Sequence, residues 1–172
     1  YAGEDPTSLL QKALAQFPDS FLLNTAMAVI NSESLDAETR KYSQGVLDQL
    51  HRQAGQSGQG EIFAINVSAI YYNLGNGYLR KGEVLGAIQA FQRALAFKPD
   101  KAPALLGLGK AYTLRGIQLG EEGQGEQAAQ AYGKALALNP ADATALVNLG
   151  WLCYQAGRWD EAIAHYRAAL AI

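Results

Sequence analysis

The chain contains a single cysteine, Cys153, and two histidines, His51 and His165. One cysteine cannot close an internal disulfide, and a metal site would need several further ligands beside it. The histidines lie far apart in the sequence, and no HExxH, CxxC, phosphate-loop or GxSxG pattern occurs. The expectation is therefore no catalytic residue, no metal and no cofactor. An excess of one charge is missing too: 14 Lys and Arg face 16 Asp and Glu, a net charge of −2. That balance excludes a general binder of nucleic acid or of anionic membranes, which would carry a basic surplus. No apolar run approaches the roughly 20 residues that span a bilayer, and these residues are not expected to include a signal peptide. Direct membrane insertion is accordingly not expected. The first residue is Tyr1, so the chain reads as a processed product or a piece of something longer. The lone cysteine leans towards a reducing, cytoplasmic location.

Apolar residues are plentiful, at 49% against 17% charged, so there is material for a core and little sign of disorder. Prolines number only five, and two of them, Pro99 and Pro140, stand at matching points of a repeat. Residues 68–101, 102–142 and 143–172 share one succession of residue classes. Leu-Gly recurs at Leu74-Gly75, Leu108-Gly109 and Leu149-Gly150. A small residue follows at Ala87, Ala128 and Ala162, and an aromatic at Phe91, Tyr132 and Tyr166. Next come Ala94, Ala135 and Ala169, then Pro99 and Pro140, the third copy stopping short of its proline.

This pattern resembles the tetratricopeptide repeat, whose period is about 34 residues. The resemblance implies an all-α fold, a right-handed superhelix (an α-α solenoid) of stacked helix pairs. Residue chemistry agrees. Tyr71, Leu74 and Tyr78 fall on one face of a first helix, and Ala87, Phe91, Ala94 and Leu95 on one face of a second. Gly82 breaks the first copy between them, as Gly157 does the third and Gly116, Gly123 or Gly125 the second. The prolines end each second helix. One pair buries too little apolar surface to fold alone, and stacking supplies the rest.

The middle copy carries seven extra residues, taken as about 117–123. Seven residues are about two helical turns, near 10 Å, with a phase drift of only about 20°. Such an insertion lengthens a helix without turning its apolar face away, leaving Leu108, Tyr112 and Leu119 on one side. A flexible loop is the rival, because Gly116, Gly120, Gly123 and Gly125 each cost about 1 kcal/mol in a helix. The expectation is a first helix reaching about Gly120, then a glycine-rich turn. Residues 1–60 match the repeat poorly. They read as degenerate helices of the same kind, at 7–17, 21–30 and 36–54, followed by a glycine-rich linker at 55–60. Residues 61–172 then hold the three clear units.

Several residues tempt a chemical reading. Gly75-Asn76-Gly77 and Leu106-Gly107-Leu108-Gly109 look like phosphate loops, yet both fall inside helices at repeat positions, where close packing explains them. Cys153 replaces the aromatic of Tyr78 and Tyr112 and reads as a buried small apolar group. Asp160-Glu161 reads as a solvated helix start.

The resemblance implies a concave groove, lined by first helices, that holds an extended peptide or a partner helix. Carried over by position, the groove residues are Tyr72, Asn73, Asn76, Leu79 and Arg80 in the first unit. The second supplies Leu106, Gly107, Lys110 and Thr113, and the third Val147, Asn148, Trp151, Tyr154 and Gln155. Amide side chains can bond a peptide backbone, while Trp and Tyr supply contact area. Some members of the family grip a chaperone's C-terminal carboxylate with basic groove residues. Here Tyr72, Thr144 and Asn148 occupy those basic positions, so such a clamp is not expected. In this sequence no further helix follows the last unit, and Trp159, Ile163, Tyr166 and Leu170 are expected to be partly uncovered; either the native chain continues beyond residue 172 and covers them, or this end self-associates. The expected function is a non-enzymatic scaffold or adaptor for a protein or peptide. The alternative is an accessory domain of a larger enzyme or of a membrane-associated factor in complex assembly.

Overall fold

The computed structural model describes residues 60–172, together with the isolated position Ala15. The expectations for residues 1–59 lie outside the described residues. Six helices follow one another: α1 Gly60–Lys81, α2 Val84–Phe97, α3 Ala102–Glu121, α4 Gly125–Leu138, α5 Ala143–Gln155 and α6 Trp159–Leu170. Among the described residues there is no strand, and the architecture is all-α.

The hairpin turns repeat one backbone solution. Gly82, Gly123 and Gly157 have φ of 76°, 74° and 73°, the left-handed region that a side chain resists. Each closes a Schellman motif. The amides of Glu83, Gln124 and Arg158 donate to the carbonyls of Tyr78, Leu119 and Cys153 at 2.9, 2.8 and 2.9 Å. Of the three glycines open for the middle copy, Gly123 is the one that turns. Gly116 lies inside α3, which runs to Glu121, so residues 117–121 of the expected insertion are helical and only Glu122 and Gly123 belong to the turn. The second helices end alike, with Lys98 and Asn139 both at φ −140°, the extended backbone that a following proline requires.

Each helix packs on its sequence neighbours. The first helices also touch one another, α1 with α3 and α3 with α5, while α2, α4 and α6 do not. The first-helix layer is therefore the tighter one, and the array curves with that layer inside. The core runs through the stack as three linked clusters. Tyr71 and Val67 centre the first, Phe91 and Leu108 the second, Tyr132 and Leu119 the third. Cys153 is free and buried.

The glycines fix the packing register. A Cβ on Gly75, Gly116 or Gly150 would stand 2.7, 2.5 or 2.9 Å from the ring of Phe91, Tyr132 or Tyr166. Each glycine precedes its aromatic by the same interval, so the ring lies on bare helix backbone in all three hairpins. In the middle hairpin the Leu-Gly that aligns in sequence, Leu108-Gly109, is not the pair that receives the ring. A Cβ on Gly109 would meet only Leu138, Ala135 and Asn139, at ordinary distances of 3.6–3.9 Å. Counted from the turn, the additional two helical turns therefore sit at the start of α3, and its last turns copy the register of α1 and α5.

Candidate functional site

The inner face brings most of the expected groove residues together in two cavities on either half of α3. The first, about 430 Å³, lies between α1 and the start of α3, where Tyr72, Asn76, Leu79 and Arg80 face Leu106, Gly107 and Lys110. The second, about 320 Å³, lies between the end of α3 and α5. Ile117, Gly120 and Glu121 face Asn148, Trp151 and Gln155 there, with Tyr132 in its wall.

Local packing explains what lines each cavity. Phe91 is sealed from both sides, because a Cβ on Gly75 or on Gly107 would stand 2.7 Å from its ring. Asn148 holds the place on α5 that Gly107 holds on α3, and Tyr132 shares the second cavity with it. Burial and the nearby Glu121 carboxylate push the Tyr132 hydroxyl above the ordinary tyrosine pKa. Tyr72 is partly engaged already, with its ring 6.0 Å from Phe91 and the Lys101 ammonium 5.6 Å from its centroid. Asn148 donates to the Thr144 carbonyl at 2.9 Å.

Aromatic surface concentrates at one end. Trp151 and Tyr154 are 50% and 48% exposed and stack at 5.6 Å with their planes 13° apart. Tyr154 then meets Trp159 edge-on at 4.9 Å, and Trp159 is 56% exposed. Groove and terminal helix, separate in the sequence reading, thus share one continuous aromatic run from α5 to α6. Ile163 and Leu170 continue the exposed apolar surface of α6, whereas Tyr166 is half-buried against Gly150 and belongs mainly to the hairpin core.

Thr113 does not belong to the groove. It is only 5% exposed, and its hydroxyl donates to the Asp142 carboxylate at 2.7 Å with the Gly109 carbonyl at 3.3 Å. The other Asp142 oxygen accepts from the Ala145 amide at 3.0 Å and caps α5. Thr113 is thereby a tie between α3 and α5. Asn73, Val147 and Tyr154 are exposed without lining either cavity. Ile117, Glu121 and Tyr132 were not anticipated. The signal for the first two was present: a two-turn insertion preserves helical phase, so the stripe through Leu106 and Lys110 continues to Ile117 and Glu121.

The outer side differs. Between α2 and α4 lies a cavity of about 330 Å³ lined by Leu85, Tyr112 and Lys134 among others. Tyr112 is held there by Gln92, which donates to its hydroxyl at 3.0 Å, and by the Lys134 ammonium 5.5 Å from its ring. Among the described residues no cluster of His, Cys, Asp and Glu could hold a metal ion. Within the same residues no helix is long and apolar enough to cross a membrane.

Two family models match the chain, one described as "Tetratricopeptide repeat" over residues 113–172 and one as "TPR repeat" over residues 75–116. No curated protein matches it in sequence. Among solved structures, the crystal structure of MamA is 22% identical with a TM-score of 0.47, the match covering 96% of this chain and 85% of that one. The second TPR of Spaghetti (RPAP3), bound to the HSP90 peptide SRMEEVD, is 20% identical with a TM-score of 0.40 over 61% of this chain and 91% of that one.

Proposed function

The chain belongs to the tetratricopeptide repeat family, and from that premise we propose that its concave face holds an extended segment or a helix of a partner protein. Repeats of this family are in general interaction modules rather than catalysts, and the reading assigns no reaction to the chain. The observation that carries it is the inner face itself. Two adjoining cavities run along α3, and their walls combine exposed aromatic and aliphatic surface with amide side chains. Large half-exposed rings supply contact area with few rotors to freeze, while Asn76, Asn148 and Gln155 offer donors and acceptors for a peptide backbone. A lone buried thiol suits a reducing compartment, and we keep the cytoplasmic placement on that ground.

The test is affinity capture from native lysate with the wild-type chain and a Tyr72→Ala, Trp151→Ala double variant of unchanged helicity. A partner captured by the first and lost by the second is expected. Equal capture by both would move the site to the outer face or to α6.

A second reading concerns α6. Trp159, Ile163 and Leu170 are exposed on it, Ile172 is exposed just after it, and Leu170 is 88% accessible. Apolar surface of this kind marks an interface, and self-association through α6 accounts for it. Light scattering on a concentration series checks this: a mass rising above the monomer is expected, and a constant monomer mass refutes it.

A further inference from the structure

We infer that the pocket between the end of α3 and α5 takes a basic side chain, lysine or arginine, of the bound peptide, with Glu121 as its counter-ion and Trp151 as its aromatic wall. The inference rests on the peptide-binding reading and specifies one residue of the ligand.

Three independent features converge on a cation. The first is the state of Glu121. It is exposed and forms no ion pair among the described residues, while its neighbour Glu122 is engaged by Arg115 at 3.8 Å and by the Gln124 amide at 2.9 Å. The second is its place in the helix. Glu121 is the last residue of α3, at the negative end of the helix dipole, and no basic residue stands in that last turn. A carboxylate there is disfavoured by the backbone and gains from an external cation. The third is the wall opposite. Helix α5 carries no charged residue at all, and Trp151 presents a half-exposed ring to the same cavity. A carboxylate beside an accessible indole recognises an ammonium or guanidinium through ion pairing and cation–π attraction together. The effect of Glu121 on the Tyr132 hydroxyl agrees, since it shows the negative charge reaching the pocket wall.

The other half of the groove has the opposite sign. Arg80 and Lys110 line the first cavity, and neither is ion-paired among the described residues. Lys110 and Glu121 lie on one helix eleven residues apart, a separation of about 16 Å along its axis. An extended peptide covers that distance in about five residues. The two extra turns of α3 thus give one helix both a positive and a negative subsite, and a peptide bearing an acidic and a basic side chain about five positions apart matches them. The orientation follows: its basic residue lies towards α5.

Selection of random ten-residue displayed peptides on the intact protein tests this. The wild type is expected to enrich sequences with Lys or Arg about five positions from Asp or Glu. For a synthetic peptide so selected, Glu121→Gln should weaken binding roughly fivefold, within the range of exposed ion pairs and cation–π contacts. Replacing the peptide's basic residue by norleucine should cost the same factor, with no further loss when both changes are combined. Glu121→Lys should shift the selected residue from basic to acidic. Glu121 is exposed, so neither variant disturbs the core, and circular dichroism verifies this. A Tyr72→Ala, Leu106→Ala variant separates the two claims. Peptides that this variant loses, but that show no basic preference and bind Glu121→Gln unchanged, overturn the cationic subsite and leave the groove standing. Peptides indifferent to both variants, or no enrichment at all, overturn the groove reading and the inference with it.

Discussion

Gly116→Ala and Gly109→Ala make the same chemical change two turns apart on one helix, and their effects should have opposite signs. Both residues lie inside α3, so each substitution gains helix propensity of about 1 kcal/mol. At Gly109 the new methyl meets neighbours at 3.6 Å and beyond, ordinary contact, and the gain stands. At Gly116 it arrives 2.5 Å from Cε1 of Tyr132, 2.7 Å from Cδ1 and 2.8 Å from Cζ. Carbon pairs are comfortable at about 3.5–4.0 Å, so the ring must retreat by about 1 Å. It has nowhere easy to go, being a buried ring whose edge, not a flexible tip, makes the contact. Overpacking of this kind costs about 1–3 kcal/mol, which leaves Gly116→Ala destabilised by about 1 kcal/mol after the propensity gain. The two variants should differ by about 2 kcal/mol, a separation near 1 M in urea midpoint at a typical slope. Urea unfolding followed by circular dichroism at 25 °C, with unchanged slopes, reads this directly. Equal stabilisation of both variants, or greater damage at Gly109, would refute the register in which Tyr132 rests on Gly116.

Other variants probe other links. Thr113→Val keeps shape but removes the hydroxyl that holds Asp142, and should cost about 2 kcal/mol in urea unfolding, since hydrogen bonds to charged groups contribute about 1.5–3 kcal/mol. Gly123→Ala has free space around it but forces a side chain into φ of 74°, so a loss of about 1 kcal/mol or more is expected, with a similar loss for Gly157→Ala. The raised pKa of Tyr132 gives a pH signature. Its neutral form is favoured in the folded state, so its contribution is complete below the unfolded value near 10 and falls away as pH rises through the higher folded value. Thermal melts between pH 9 and 11 should therefore show a shallower alkaline loss for Tyr132→Phe than for the wild type. Glu121→Gln removes one cause of that shift and should bring the Tyr132 titration closer to the ordinary range, read by tyrosinate absorbance.

The fold was legible because the repeat writes its packing three times. Leu-Gly, the small residue, the aromatic and the proline each mark a contact that recurs, and the helix pairs follow from their phase. Position along a first helix decides exposure, which is why Tyr72, Leu106 and Trp151 line the cavities along α3. Thr113 shows the limit: a polar residue at a groove position was claimed by Asp142, a tertiary partner 29 residues away. The insertion shows another. Sequence alignment from the start of the unit pairs Gly109 with Gly75, whereas packing counts from the turn and selects Gly116, because the ring needs bare backbone a fixed distance from the hairpin. Ile117 and Glu121 were hidden by the same choice of origin. Cys153 is buried as its apolar neighbours implied, but counted from the turn its counterpart in the middle hairpin is the buried Leu119 rather than Tyr112.

Side-chain oxidation footprinting of the protein alone and with its captured partner addresses the central claim most directly. Tyr72, Leu106, Trp151 and Tyr154 should lose reactivity in the complex, while Leu85, exposed between α2 and α4 on the outer face, should keep it. Protection of Leu85 with undiminished oxidation of Tyr72, Leu106 and Trp151 would contradict a concave binding site.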